Sequence, residues 1–176
     1  MNNVIDIQTG QLELKGCFFY YKMTFEQALN LSADFKYETL DHKNGYKWIY
    51  LKEIDLNVSL FHFGLCFKNE HLFQVDFGFS SPDEIKKTWA DWSKENELSR
   101  KKLYEKWLTE NLSGKRNFKW GKIEPYYDPR GGTTGILINY KNNESTTMHK
   151  SNGGESAKSN RNINNKSGSW WRKLWS

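Results

Sequence analysis

Three runs of alternating or continuous apolar residues lie close together and predict the centre of a sheet. Tyr46, Trp48 and Tyr50 alternate with Lys47, Ile49 and Leu51. Val58, Leu60, Phe61, Phe63, Leu65 and Phe67 form a nearly continuous run, and Leu72, Phe73, Val75, Phe77 and Phe79 form a third. Period-two alternation marks a half-buried strand, and a short continuous apolar run suits a strand flanked on both sides. The breaks, residues 53–57 and Lys68-Asn69-Glu70, are short, so these neighbours run antiparallel. Pairing through the second break sets His71 near Lys68 and away from His62. His62, between Phe61 and Phe63, faces the opposite side from both.

The flanks carry helix and turn signals. Residues 4–7 and 11–14 flank Gln8-Thr9-Gly10, which predicts a first hairpin with Gly10 at positive φ, and residues 17–21 continue the sheet. Thr24-Phe25-Glu26-Gln27 has the form of a capping box, and Ala28, Leu29, Leu31 and Phe35 support a short helix ending near residues 34–36. Asp41-His42-Lys43-Asn44-Gly45 is turn chemistry. Ser81-Pro82-Asp83-Glu84 opens a long helix. Its stripe is Ile85, Trp89, Trp92, Asn96, Ser99, Leu103 and Trp107, widened by Tyr104, Leu108 and Leu112. Ser93 offers a second cap, which allows a break near residues 91–93, and Gly114 follows the end as a stop. Residues 118–127 and 133–140 flank Asp128-Pro129-Arg130-Gly131-Gly132 and predict a last hairpin. The expected fold class is α+β: an antiparallel β-sheet with one short and one long, breakable helix packed on one face, plus a disordered C-terminal tail.

Composition fixes where that pattern stops. The chain has 176 residues with 28 aromatics, too many for a disordered protein. Residues 141–169 are mostly Asn, Ser, Gly, Lys and Thr, with Met148, Ala157 and Ile163 as the aliphatic or sulfur-bearing exceptions. Such a stretch buries too little to offset its ordering entropy. The expected division is one globular domain over 1–140, a flexible polar linker over 141–169, and a Trp/basic motif over 170–176. The net charge of +5 also sits entirely beyond residue 140, where seven basic residues face two acidic ones. Residues 1–140 sum to zero, which argues against a nucleic-acid-binding core. Trp170, Trp171, Arg172, Lys173, Leu174 and Trp175 are therefore the candidate contact residues, for an anionic membrane surface or a protein groove. No apolar run approaches the roughly 20 residues of a spanning helix. With no basic amino-terminal region and only Cys17 and Cys66 as thiols, the expected setting is cytoplasmic, or peripheral at the inner face of the membrane.

Catalytic signals are weak. His42 falls in a turn, His149 in the linker, His62 in a strand and His71 at a strand start. No spacing among them fits a zinc site. Cys17 and Cys66 sit among aromatics and read as small buried hydrophobes. Gly131-Gly132-Thr133-Thr134-Gly135 lacks the lysine and following helix of a phosphate loop and reads as a hairpin loop. Asp83, Glu84, Asp91, Glu95 and Glu97 interleave with lysines and arginines as an ordinary exposed helix face. The expectation is no metal, no cofactor and no catalytic residue.

Several stretches together resemble a known group. They are Asp6-Ile7-Gln8-Thr9-Gly10, Met23-Thr24-Phe25-Glu26-Gln27, Asp91-Trp92-Ser93, Lys106-Trp107-Leu108, Trp120-Gly121-Lys122-Ile123, Tyr127-Asp128-Pro129-Arg130-Gly131-Gly132 and Ile136-Leu137-Ile138-Asn139-Tyr140. In that order, over roughly residues 4–140, the chain resembles small bacterial immunity proteins of polymorphic-toxin systems. The resemblance implies a cytoplasmic, non-enzymatic protein that binds and blocks a cognate toxin. Its motifs are structural, so no binding residues carry over. Two other readings stay open: a membrane-associated accessory protein tethered by the tail, and an enzyme whose site is not visible in sequence.

Overall fold

The computed structural model describes residues 4–56, 59–81 and 89–141. Two short strands, β1 (Leu12–Leu14) and β2 (Cys17–Phe19), form a small antiparallel sheet. Helix α1 (Phe25–Leu31) follows and tightens into a 3-10 turn at Ser32–Asp34. The main sheet begins with β3 (Lys36–Asp41), β4 (Tyr46–Leu56), β5 (Ser59–Lys68) and β6 (His71–Ser80). After a 3-10 turn at Trp89–Asp91 come α2 (Lys94–Leu112), β7 (Gly121–Asp128) and β8 (Thr133–Tyr140). The six strands are antiparallel in the order β3-β4-β5-β6-β8-β7. The class is α+β, as expected.

Local chemistry places the elements. Thr24 Oγ1 accepts from the Gln27 N–H, and Gln27 Oε1 accepts from the Thr24 N–H, closing the capping box. The turn after β5 sets His71 opposite Lys68. Ser93 caps α2 through the Asn96 N–H, and the helix ends at Ser113 and Gly114, both at positive φ. The expected first hairpin is reduced to a single bridge, Ile5 opposite Leu12. Regular pairing moves one element on, to β1 with β2, and this pair stays separate from the main sheet.

One face of the main sheet carries the core. Ile49, Leu65, Val75, Ile138 and Ile123 align across five strands, followed by Leu51, Phe63, Phe77 and Ile136. Tyr104, Leu108 and Leu112 of α2 and Ala28 of α1 pack into this cluster. Of the stripe expected from sequence, Tyr104, Leu108 and Leu112 are buried and Trp107 packs against the core, whereas Leu103 and Trp92 are exposed, and Glu97, expected on the solvated face, is buried. Glu97 pairs with Arg100 one turn on, and its carbonyl accepts from the Thr134 hydroxyl at 2.9 Å. The carboxylates of α2 are thus not all on a solvated face.

The two ends of the domain meet. The Tyr140 hydroxyl donates to the Gly10 carbonyl at 2.9 Å, and the Trp120 indole donates to the Ile7 carbonyl at 3.0 Å. Gly10 has φ +75, and a Cβ there would come within 2.5 Å of the Trp120 ring, so no side chain fits. Lys141 adds two more ties, its N–H to the Trp120 carbonyl and its Nζ to the Phe118 carbonyl, both at 2.9 Å. A chain ending at Lys141 should melt within about 2 °C of the full chain, as expected when little beyond the cut is buried. Differential scanning calorimetry checks this, and a drop of many degrees would show that residues 142–176 dock on the domain. The linker and the Trp170–Trp175 motif lie outside the described residues.

Candidate partner-binding surface

The second face of the sheet is unusual because it buries polar groups. Both described helices pack on the first face, yet Trp48, Tyr50, His62, Cys66 and Asp76 are all buried. The register brings Trp48, Tyr50, Cys66 and Asp76 together. Trp48, Cys66 and Gln74 lie abreast on β4, β5 and β6, and Tyr50, Gly64, Asp76 and Leu137 form the next row. Trp48 and Tyr50 stack with centroids 5.5 Å apart. The Tyr126 hydroxyl donates to Asp76 Oδ2 at 2.6 Å. Gly135 makes room for that bond, since a Cβ there would come within 2.7 Å of the carboxylate and 2.8 Å of the Tyr126 ring.

Burial sets the chemistry of this cluster. It pushes the Cys66 thiol up to about 12, and the nearby Asp76 charge adds to the effect. Burial also drives His62 down to about 4, so the ring is neutral at pH 7 and its Nδ1 accepts from the Glu53 N–H at 3.4 Å. Tyr50 is raised, again mainly by burial. A thiol held this high is a poor nucleophile, because the thiolate is the reactive form. Iodoacetamide should therefore label half-buried Cys17 well before Cys66 in the folded protein, and both equally in denaturant. Peptide mass mapping reads the order, and fast labelling of Cys66 would contradict its burial.

Among the described residues no group of three or more His, Cys, Asp or Glu could hold a metal ion. No described helix is long and apolar enough to cross a membrane. Of the candidate histidines, His71 Nδ1 lies 3.1 Å from the Lys22 carbonyl and His42 is exposed in the turn after β3. The structure brings neither to His62. The loop at Gly131 and Gly132 is a hairpin turn, with the Gly132 N–H bonded to the Asp128 carbonyl.

The exposed apolar surface is scattered, with two exceptions that the fold holds in place. Trp92 is 42% exposed although its indole donates to the Gly132 carbonyl at 2.7 Å. Tyr37 and Leu40, 40% and 38% exposed, stand on the outermost strand β3, every residue of which is exposed. Sequence reading missed β3 altogether. An edge strand with both faces in water shows no apolar alternation, and the only usable signal was the β-prone Tyr37 and Thr39.

No family model matches the chain, and neither does any curated protein. Among solved structures it is similar to a chain of the complex described as Rhs1-CT in complex with cognate immunity protein RhsI1. The TM-score is 0.51 and the identity 18%, over 83% of this chain and 89% of that one. The immunity-protein resemblance read from residues 4–140 thus meets a solved toxin–immunity complex, and at that identity what the two share is a fold.

Proposed function

We propose that this chain is a non-enzymatic binding protein of immunity type, which neutralises a cognate toxin by occupying it. The carrying observation is the fold shared with a chain of a toxin–immunity complex over most of both lengths. The buried thiol of Cys66 supports the reading, because burial holds it protonated, and the thiol is a poor nucleophile beside the thiolate. A cytoplasmic site follows from the same proposal. The test is co-expression with the toxin domain encoded beside this chain in its genome. Cells should survive only with the chain present, and protection should titrate with the toxin at one to one. A folded chain that fails to protect would sink the proposal, and protection by far less than one equivalent would favour an enzyme.

The tail is proposed as a second, weak contact. Residues 141–176 carry the whole net charge of +5, and Trp170, Trp171 and Trp175 flank Arg172, Lys173 and Leu174. Each basic residue adds on the order of 1 kcal/mol near an anionic surface, and Trp settles at headgroup level. Phosphatidylserine liposomes should sediment the full chain at low salt but not a chain ending at Lys141. Equal sedimentation of the two removes this role.

A further inference from the structure

The main sheet has two edges, and among the described residues only one is covered. On β7, the Phe118 N–H donates to the Gly121 carbonyl at 2.8 Å, and the Ile123 N–H donates to the Arg116 carbonyl at 2.9 Å. Residues 116–118 thus cover the first half of that rim. Pro125 comes next in the same outward phase and has no N–H to offer, a common way to end strand pairing.

Among the described residues nothing covers β3 in this way. It pairs with β4 in one unbroken register, from Lys36 opposite Lys52 to Asp41 opposite Lys47. One step further the His42 N–H donates to the Tyr46 carbonyl at 3.0 Å. Hydrogen-bonded residues alternate with outward-facing ones in an antiparallel pair. Even residues therefore face β4, while Tyr37, Thr39 and Asp41 turn their N–H and C=O groups outward. No strand among the described residues pairs with them, and the whole strand is exposed.

The charges of this strand are already matched within the chain. Lys36 pairs with Glu53 at 2.7 Å, Glu38 with Lys52 at 2.6 Å, and Asp41 with Lys43 at 3.1 Å. What the rim offers a partner is a backbone ladder, with Tyr37 on one face and Leu40 on the other. A second copy of the chain is a poor occupant. The register that aligns all three outward residues of two β3 strands centres on Thr39. It sets each Glu38 against Leu40 of the copy and each Lys36 against His42.

We infer that β3 is the docking edge for the toxin, which adds an extended, uncharged segment with apolar side chains beside Tyr37 and Leu40. This rests on the proposed function and names the surface that performs it. Thr39→Pro removes one outward N–H and leaves the β4 ladder intact, a position where an edge strand tolerates proline. Thr39→Val keeps the N–H. Calorimetric titration with the neighbouring toxin domain should show about tenfold weaker binding for Thr39→Pro, or worse, and little change for Thr39→Val, at equal thermal midpoints. Hydrogen exchange on the unmodified chain should show Tyr37, Thr39 and Asp41 amides protected by the toxin, which decides the matter even if Thr39→Pro unfolds. Toxin binding with those amides unprotected, or unchanged binding by folded Thr39→Pro, overturns the edge while leaving the immunity function standing. If the wild-type chain binds no toxin, the function fails. The edge is then judged with dodecapeptides selected on the chain by phage display: loss of their binding to Thr39→Pro upholds a strand-accepting rim, and no selection or equal binding overturns it. A dimer abolished by Thr39→Pro would give the rim to a second copy and overturn the inference.

Discussion

Removing one oxygen, in Tyr104→Phe, should cost the fold about 2 to 4 kcal/mol, the penalty for orphaning two buried backbone groups. β6 has β5 along its whole length, but β8 accompanies it only from Gln74 to Phe77. Beyond that point, among the described residues, the backbone of Phe79 faces no strand on the β8 side. The Tyr104 hydroxyl takes the missing place: it donates to the Phe79 carbonyl at 3.0 Å and accepts from the Phe79 N–H at 3.1 Å. Tyr104 is 2% exposed, so water has little access to replace it. The phenylalanine ring would keep its contact with Phe79, at 4.9 Å between centroids, so the loss isolates the hydroxyl. The thermal midpoint should fall by roughly 8 to 15 °C for a domain of this size. Urea unfolding of Tyr104→Phe beside Tyr20→Phe, whose ring is exposed, measures it. A loss under about 1 kcal/mol would mean that another group satisfies Phe79.

Mild acid should weaken the protein through His62. Its ordinary pKa is 6.5 and the folded value is about 4, with burial as the first cause. Between those values the unfolded chain binds a proton that the folded chain refuses, so stability falls as pH drops from 6.5 and the loss levels off below 4. The shift corresponds to at most about 3 kcal/mol. Asp6, Asp41 and Glu53 are held below their ordinary values, chiefly by hydrogen bonds to Gln8, Lys43 and Lys36, and weaken the fold only at lower pH. Of these four groups, His62 is the one that titrates between pH 6.5 and 4.5. Urea midpoints over this range should slope for the wild type and be nearly flat for His62→Gln. Parallel slopes would show that His62 is not the sensor.

What the sequence showed depended on whether a signal was local. The capping box at Thr24 and Gln27, the cap at Ser93 and the turn at Lys68 to Glu70 involve residues three or four apart, and each forms as read. β4 runs on to Leu56, although its apolar alternation fails after Leu51. Glu53 at φ +54 shifts the register between Leu51 and Ile54, and a period-two pattern cannot be followed across a bulge. The stripe of α2 holds at Tyr104, Leu108 and Leu112 but not at Leu103, and Glu97 does not look like core; its pairing with Arg100 offsets the cost of burying that carboxylate. The polar cluster was out of reach for a different reason. Cys66, Asp76 and Tyr126 come from three strands, and their meeting depends on β8 entering between β6 and β7.

That entry also governs the order of assembly. β3 to β6 are joined by successive hairpins, so each can pair as soon as its neighbour exists. β7 precedes β8 in the chain but has no seat until β8 pairs with Gln74 to Phe77. The slow step of folding is then a non-local one, in which the last strand closes loops as long as that from Gly10 to Tyr140. Substitutions on β8 at Ile136 or Ile138 should slow refolding, whereas those on β3 should mainly speed unfolding.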